Sequence, residues 1–334
     1  MNITSGEPRF RQTDVVILRQ IMERVGRPMP PEDFISLVFE AFTASRERTA
    51  GDHLPQTFRQ CPSFQSFCSA LTGAKERLPH EPSILVMGAG ADVLGRNSSY
   101  AASVTREVFG PHCTLTPLDV TTRMIYTEPQ QRYDLVVTHS LAHFFFDQES
   151  LYSFISRSIN PKGGYVMGNE PNRRFWVNQD VQTAYRRMVE SERFRRRVRG
   201  YLNPRFYVKR LVSMLRAPES EHHAFERSVN LYLHKRYDFQ GDLTLKEMDR
   251  IIDPFFPDEL PGDHPLGGNG LDWDNEVSAM LPGFSLEWVA SARFMGKQNP
   301  QNMRPKWQRL NAELLAKHPL DGNVFSALWW RKAD

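Results

Sequence analysis

The stretch 84-ILVMGAGADVLG-95 carries the reading of this chain. Residues 83-SILVM-87 form a nearly unbroken apolar run, the pattern of a strand buried on both faces of a parallel sheet. The run stops at Gly88-Ala89-Gly90. Glycine has no Cβ to block approach, and the free N–H groups where a strand turns into a helix can hold a negative group. The question is what comes so close to the backbone here.

Three answers fit such a turn: a purely structural bend, a dinucleotide, or S-adenosylmethionine. A dinucleotide fingerprint wants G-x-G-x-x-G. The third glycine position here is Val93, so the fingerprint fails. Working outward, strands and helices alternate. A helix is expected over 98–109, a strand over 113-CTLTPLDV-120, a strand over 133-YDLVVTHS-140 and a helix over 147–159. The turn 160-NPKGG-164 and a strand over 165-YVMGNE-170 follow. This is the signature of βαβ units around a parallel sheet.

The ordered set resembles the class I S-adenosylmethionine-dependent methyltransferases of small-molecule type. Tyr133-Asp134-Leu135-Val136-Val137 is similar to that family's fourth-strand motif, and Leu141-Ala142-His143 to the Leu-x-His that follows it. Asn160-Pro161-Lys162-Gly163-Gly164 is similar to the turn before the fifth strand. The late strands 284-FSLEWVASARF-294 and 323-NVFSALWWRK-332 resemble the family's reversed hairpin. The resemblance covers about residues 81–171 and 283–332. There are departures. Val86 stands where the family often has an acid, Asp92 replaces its third glycine, and the interval from Gly90 to Tyr133 is short, as though one strand–helix unit were reduced.

The resemblance implies an α/β fold, a Rossmann-like parallel sheet with an antiparallel last strand, plus a helical N-terminal cap and a helical insertion. The expected division is a cap over 1–80, a cofactor-binding core over 81–172 and 281–334, and an insertion over 173–280 that covers the acceptor. It implies S-adenosyl-L-methionine as cofactor, held by Gly88, Ala89, Gly90, Asp92, Asp119, Thr138, His139 and Ser140. Asp119 has two possible roles, on the ribose from the end of strand two or on the adenine from the next strand; a helix N-cap is the alternative.

Methyl transfer to a hydroxyl or acidic carbon is helped by a base beside the cofactor. His143, Glu170 and His139 are the catalytic candidates. His143 also fits a buried structural histidine, and Glu170 a pair with Arg173 or Arg174. Phe144, Phe145 and Phe146 suit either the core or a face against a sulfonium, and Trp176, Tyr185 and Tyr201 are candidates for the acceptor pocket. No metal is expected: Asp272-Trp273-Asp274-Asn275-Glu276 lacks the spacing of a calcium loop.

Composition narrows the partners. The net charge of +3 argues for none in particular, no apolar run is long enough to span a membrane, and three isolated cysteines fit reduced thiols, so a cytoplasmic location is expected. The arginine run Arg186-Arg187…Arg193…Arg195-Arg196-Arg197…Arg199 fits a phosphate-binding patch or a solvated face paired with the acidic segment 253–276. A nucleic-acid substrate is disfavoured, because the Asn/Asp-Pro-Pro-aromatic motif of base methyltransferases is absent after Thr138. The expected partner is a small-molecule acceptor, with the insertion as lid, homodimer contact, or both. A non-catalytic scaffold and a nicotinamide oxidoreductase are the other classes weighed.

Overall fold

A computed structural model describes residues 12–45, 62–89, 97–120, 124–145, 147–202, 221–252, 270–292 and 304–332. Gly90 and Asp92, expected to hold the cofactor, and also Phe146, lie outside them.

The first two helices are α1 (Gln12–Arg24) and α2 (Pro31–Ser45). Gly26 closes α1 in the left-handed region at φ 69°, with Arg27 N–H bonded to Met22 and its own N–H to Glu23. That is a Schellman cap, which glycine adopts without strain. Helix α3 (Pro62–Lys75) leads into β1 (Ser83–Ala89), α4 (Asn97–Phe109) and β2 (Thr114–Val120). Then come β3 (Tyr133–His139), α5 (Gln148–Arg157) and β4 (Ile159–Pro171). The segment after β4 gives α6 (Arg173–Val177), α7 (Gln179–Leu202), α8 (Glu221–Tyr237) and α9 (Leu245–Ile252). The chain ends with β5 (Phe284–Ala292), α10 (Pro305–Lys317) and β6 (Val324–Arg331).

The sheet order is β2-β1-β3-β4-β6-β5. Strands β1 to β4 are parallel, and β6 runs antiparallel to both β4 and β5. Alternation along the strands splits the core in two. Ile84, Val86, Leu135, Val137 and Val166 face a cluster with Phe67 and Leu71 of α3 and Val104 of α4. Leu85, Met87, Val136, Tyr165 and Met167 belong to the opposite cluster, with α5. Helices α1, α2, α8 and α9 contribute to that same second cluster.

Of the helices expected as one cap, α1 and α2 therefore pack with the insertion helices, whereas α3 lies against β4, β6 and α4 on the other side. The joint is specific. Arg24 donates to the Asp242 carbonyl at 2.7 Å and pairs with Glu247 at 2.7 Å, while Gln240 N–H bonds the Val25 carbonyl at 2.8 Å. Asn230 closes α8 onto the same region with two 2.8 Å bonds to the backbone of Leu243.

The expected turn 160–164 is a bulge inside β4, since Ile159 pairs with Tyr133 and Gly164 with Leu135. Its geometry explains the glycine. A Cβ on Gly163 would lie 2.7 Å from the Asp134 carbonyl oxygen. Asp134 itself clasps three strands at their amino ends: its carboxylate accepts from Ser83 N–H at 2.9 Å, Ser83 hydroxyl at 2.7 Å and Asn160 amide at 2.8 Å. Burial raises its pKa, but these donors outweigh it and hold the carboxyl below the usual range. Asp134→Ala should cost about 2 kcal/mol in urea unfolding, as for a hydrogen-bonded charged group, with ligand affinity at the far end of the strands unchanged.

Candidate active site

The parallel strands end together at Ala89, Val120, His139 and Pro171. Ligands of open α/β sheets sit outside such carboxyl ends. Gly88 is buried and stands in register with Asp119 on the neighbouring strand. Because β2 pairs directly with β1, Asp119 ends the second strand of the pattern, and among the described residues no strand pairs on its outer side.

Glu170 is the centre of the site. It is fully buried, and its carboxylate accepts Leu141 N–H at 2.7 Å, Ala142 N–H at 3.0 Å and His143 N–H at 3.3 Å. It thereby caps the short 3-10 turn Ala142–Phe144. The same carboxylate meets His143 Nδ1 at 2.6 Å. A carboxylate only accepts, so Nδ1 carries the proton and a neutral ring keeps its lone pair on Nε2. Burial raises the Glu170 pKa, but the charge and hydrogen bond of His143 and the backbone donors of Ala142 and Leu141 outweigh it, so the carboxyl sits below its usual range.

The pair with Arg173 or Arg174 weighed from sequence does not form. Arg173 pairs with Glu276, and Arg174 with Asp274 at 2.8 Å while stacking on Trp273. Those two carboxylates are thus spent on arginines, and Asp272 caps the turn Trp273–Val277 through Asn275 N–H at 3.1 Å.

His139 ends β3 within electrostatic reach of the dyad. Its ring packs 4.9 Å from that of Phe67, on the α3 side of the sheet. Burial drives its pKa down to about 4, against the pull of Glu170, so it is neutral at pH 7. Such a weak base suits a neutral pocket wall better than proton abstraction. Thr138, expected to touch cofactor, is fully buried and bonds the Tyr165 hydroxyl at 2.8 Å, so its side chain is turned into the core.

Ser140 and Asn169 were not expected to act together. Both hold positive φ, 49° and 55°, at the ends of β3 and β4. Asn169 donates to Ser140 Oγ at 2.7 Å, that hydroxyl donates to the Asn169 carbonyl at 3.2 Å, and Ser140 N–H bonds Gly168 O at 2.8 Å. Left-handed non-glycine residues are strained and gather at functional sites. Asparagine tolerates this backbone, but nothing in the sequence fixes it at a strand end.

Close packing supports the site from behind. A Cβ on Gly168 would lie 2.3 Å from the Phe67 ring. Phe144 and Phe145 are core residues, and Trp176 and Tyr185 pack with Phe175 in a separate cluster under α10 rather than beside the dyad. Tyr201 has no described side chain.

The reversed C-terminal hairpin, with antiparallel β6 inserted between β4 and edge strand β5, completes the arrangement. The chain has the class I methyltransferase fold. No family model matches the sequence, and no curated protein matches it. Solved methyltransferases align along much of the fold. The plantazolicin methyltransferase BamL, in complex with a triazolic desmethylPZN analog and SAH, is 12% identical over 97% of this chain and 97% of its own, at a TM-score of 0.31. The N-methyltransferase NodS from Bradyrhizobium japonicum WM9, in complex with S-adenosyl-l-homocysteine, is 8% identical over 89% of this chain and 99% of its own, at 0.35. A candidate methyltransferase of Bacillus halodurans C-125 is 12% identical over 81% of this chain and all of its own, at 0.28. The strand order and the antiparallel β6 carry the fold assignment. Among the described residues, no helix is long and apolar enough to cross a membrane.

Proposed function

We propose that this chain transfers a methyl group from S-adenosylmethionine to a small-molecule acceptor, a secondary metabolite or lipid-like precursor. The observation that carries the reading is the buried His143–Glu170 dyad at the carboxyl edge of a methyltransferase-type sheet. The residues fit the cofactor: a buried glycine stands beside a carboxylate-bearing position at the strand ends, Gly88 in register with Asp119, which suits close approach of a nucleoside with ribose hydroxyls. S-adenosylmethionine would supply an activated methyl group there.

The chain's own residues have three tasks. Gly88, Ala89, Gly90, Asp92 and Asp119 hold the nucleoside and amino-acid ends, with Ser140 and the wall formed by His139 beside them. Asp119, on the strand next to β1, takes the ribose role. His143 receives the acceptor proton at Nε2 while Glu170 holds Nδ1–H and fixes the ring. Helices α1, α2, α8 and α9 supply a cover that excludes water.

A thermal-shift comparison tests the class of cofactor. S-adenosylmethionine and S-adenosylhomocysteine should both raise the melting temperature, and nicotinamide dinucleotides should not; stabilisation by a nicotinamide dinucleotide alone would replace methyl transfer with hydride transfer. Asp119→Ala should weaken S-adenosylhomocysteine affinity at least about tenfold. An unchanged dissociation constant would make Asp119 a local cap.

A further inference from the structure

Helix α7 stands out by charge. Within Gln179–Leu202 it holds seven arginines against three carboxylates, a larger excess than the +3 of the whole chain. Its first three turns are packed on one side. Val181, Ala184, Tyr185 and Met188 face α6 and α10, and Lys317 pins Asp180 at 2.7 Å. The opposite stripe, Thr183, Arg186, Arg187, Glu190 and Phe194, is exposed at the spacing of one helix face. Phe194 is 70% exposed, an unusual setting for a phenylalanine between arginine positions. Of the acidic residues expected to neutralise this run, Asp253, Asp258, Glu259 and Asp263 lie outside the described residues, Asp274 pairs with Arg174 and Asp272 caps its own turn.

We propose that the exposed face of α7 docks on an anionic lipid surface. A basic helix with an apolar anchor lies in a bilayer interface, its ring among the acyl chains and its arginines among the phosphates. Among its described side chains the face offers one exposed aromatic, Phe194, which suits insertion into a lipid layer rather than the stacking of successive bases. The surface is independent of the dyad, and it stands whether or not the methyl-transfer reading does. Docking there would bring the chain to a lipid-like acceptor in the membrane that holds it.

The test is co-sedimentation of the full chain with vesicles of phosphatidylcholine alone, or of phosphatidylcholine and phosphatidylglycerol in equal parts. Binding should require phosphatidylglycerol and fade as salt shortens the reach of surface charge. Arg186→Gln with Arg187→Gln should weaken it about thirtyfold, and Phe194→Ser about tenfold. Both changes lie on the solvent face and should leave the circular dichroism spectrum unchanged. No sedimentation of the wild type, equal binding to neutral vesicles, undiminished binding by the folded variants, or displacement from vesicles by single-stranded RNA at equal phosphate would overturn the proposal.

Discussion

Glu170→Ala should destabilise the protein by about 3–5 kcal/mol, the cost of leaving several buried donors without an acceptor. The carboxylate is fully buried and binds His143 Nδ1 together with the N–H groups of Leu141 and Ala142. Alanine leaves all three without an acceptor and opens a cavity beside them. Glu170→Gln keeps a carbonyl for the backbone donors, so it should lose less stability. Urea unfolding of both variants checks the order; equal losses would mean that the charge of Glu170 matters no more than its shape.

The same cluster makes the protein acid-labile, and the sign follows from proton uptake. His139 falls from an ordinary 6.5 to about 4 on folding, so between these values the unfolded chain takes a proton that the folded chain refuses. Stability is therefore complete above about pH 6.5 and declines as the pH falls, by about 2 kcal/mol at pH 5. Glu170, with its pKa lowered on folding, acts in the same direction further down: its contribution is full above the usual carboxylate range and is lost as the pH falls through its folded value. His139→Gln should flatten the decline between pH 7 and 5.

Gly88→Val should weaken S-adenosylhomocysteine binding about a hundredfold or more, a loss of about 2.7 kcal/mol. Position 88 is the buried end of β1 and lies opposite Asp119 in the β2 register. A branched side chain there fills the space through which a nucleoside would approach. Gly88→Ala should show a smaller loss, and an unchanged circular dichroism spectrum separates lost binding from lost fold. Retained affinity in the valine variant would move the cofactor away from the glycine turn.

Much of this fold was legible because periodicity reports burial. The strands around Val86, Val136 and Val166 follow directly from apolar runs. The pairing of α1 and α2 with α8 and α9, away from α3, was not legible: an amphipathic stripe says that a face is buried, not against what. The site divides along the same line. His143 and Glu170 could be nominated by residue type and strand position, but their mutual contact depends on the left-handed turns at Ser140 and Asn169, which join the two strand ends. The direction of the Thr138 side chain was not read, for a related reason. Its place at a strand end suggested a ligand, whereas side-chain alternation turns it inward to Tyr165. Asp134 was seen as a motif residue, and its work is to tie β1, β3 and β4 together at the edge away from the dyad.

Calorimetric titration of the wild-type chain with S-adenosylmethionine and S-adenosylhomocysteine tests the central claim most directly. Micromolar binding of both, one molecule per chain, is the expected result, and it would give the Gly88 turn its occupant. Absence of heat with either ligand, from a chain whose circular dichroism shows it folded, would contradict the methyl-transfer reading and leave a methyltransferase fold that has lost its cofactor.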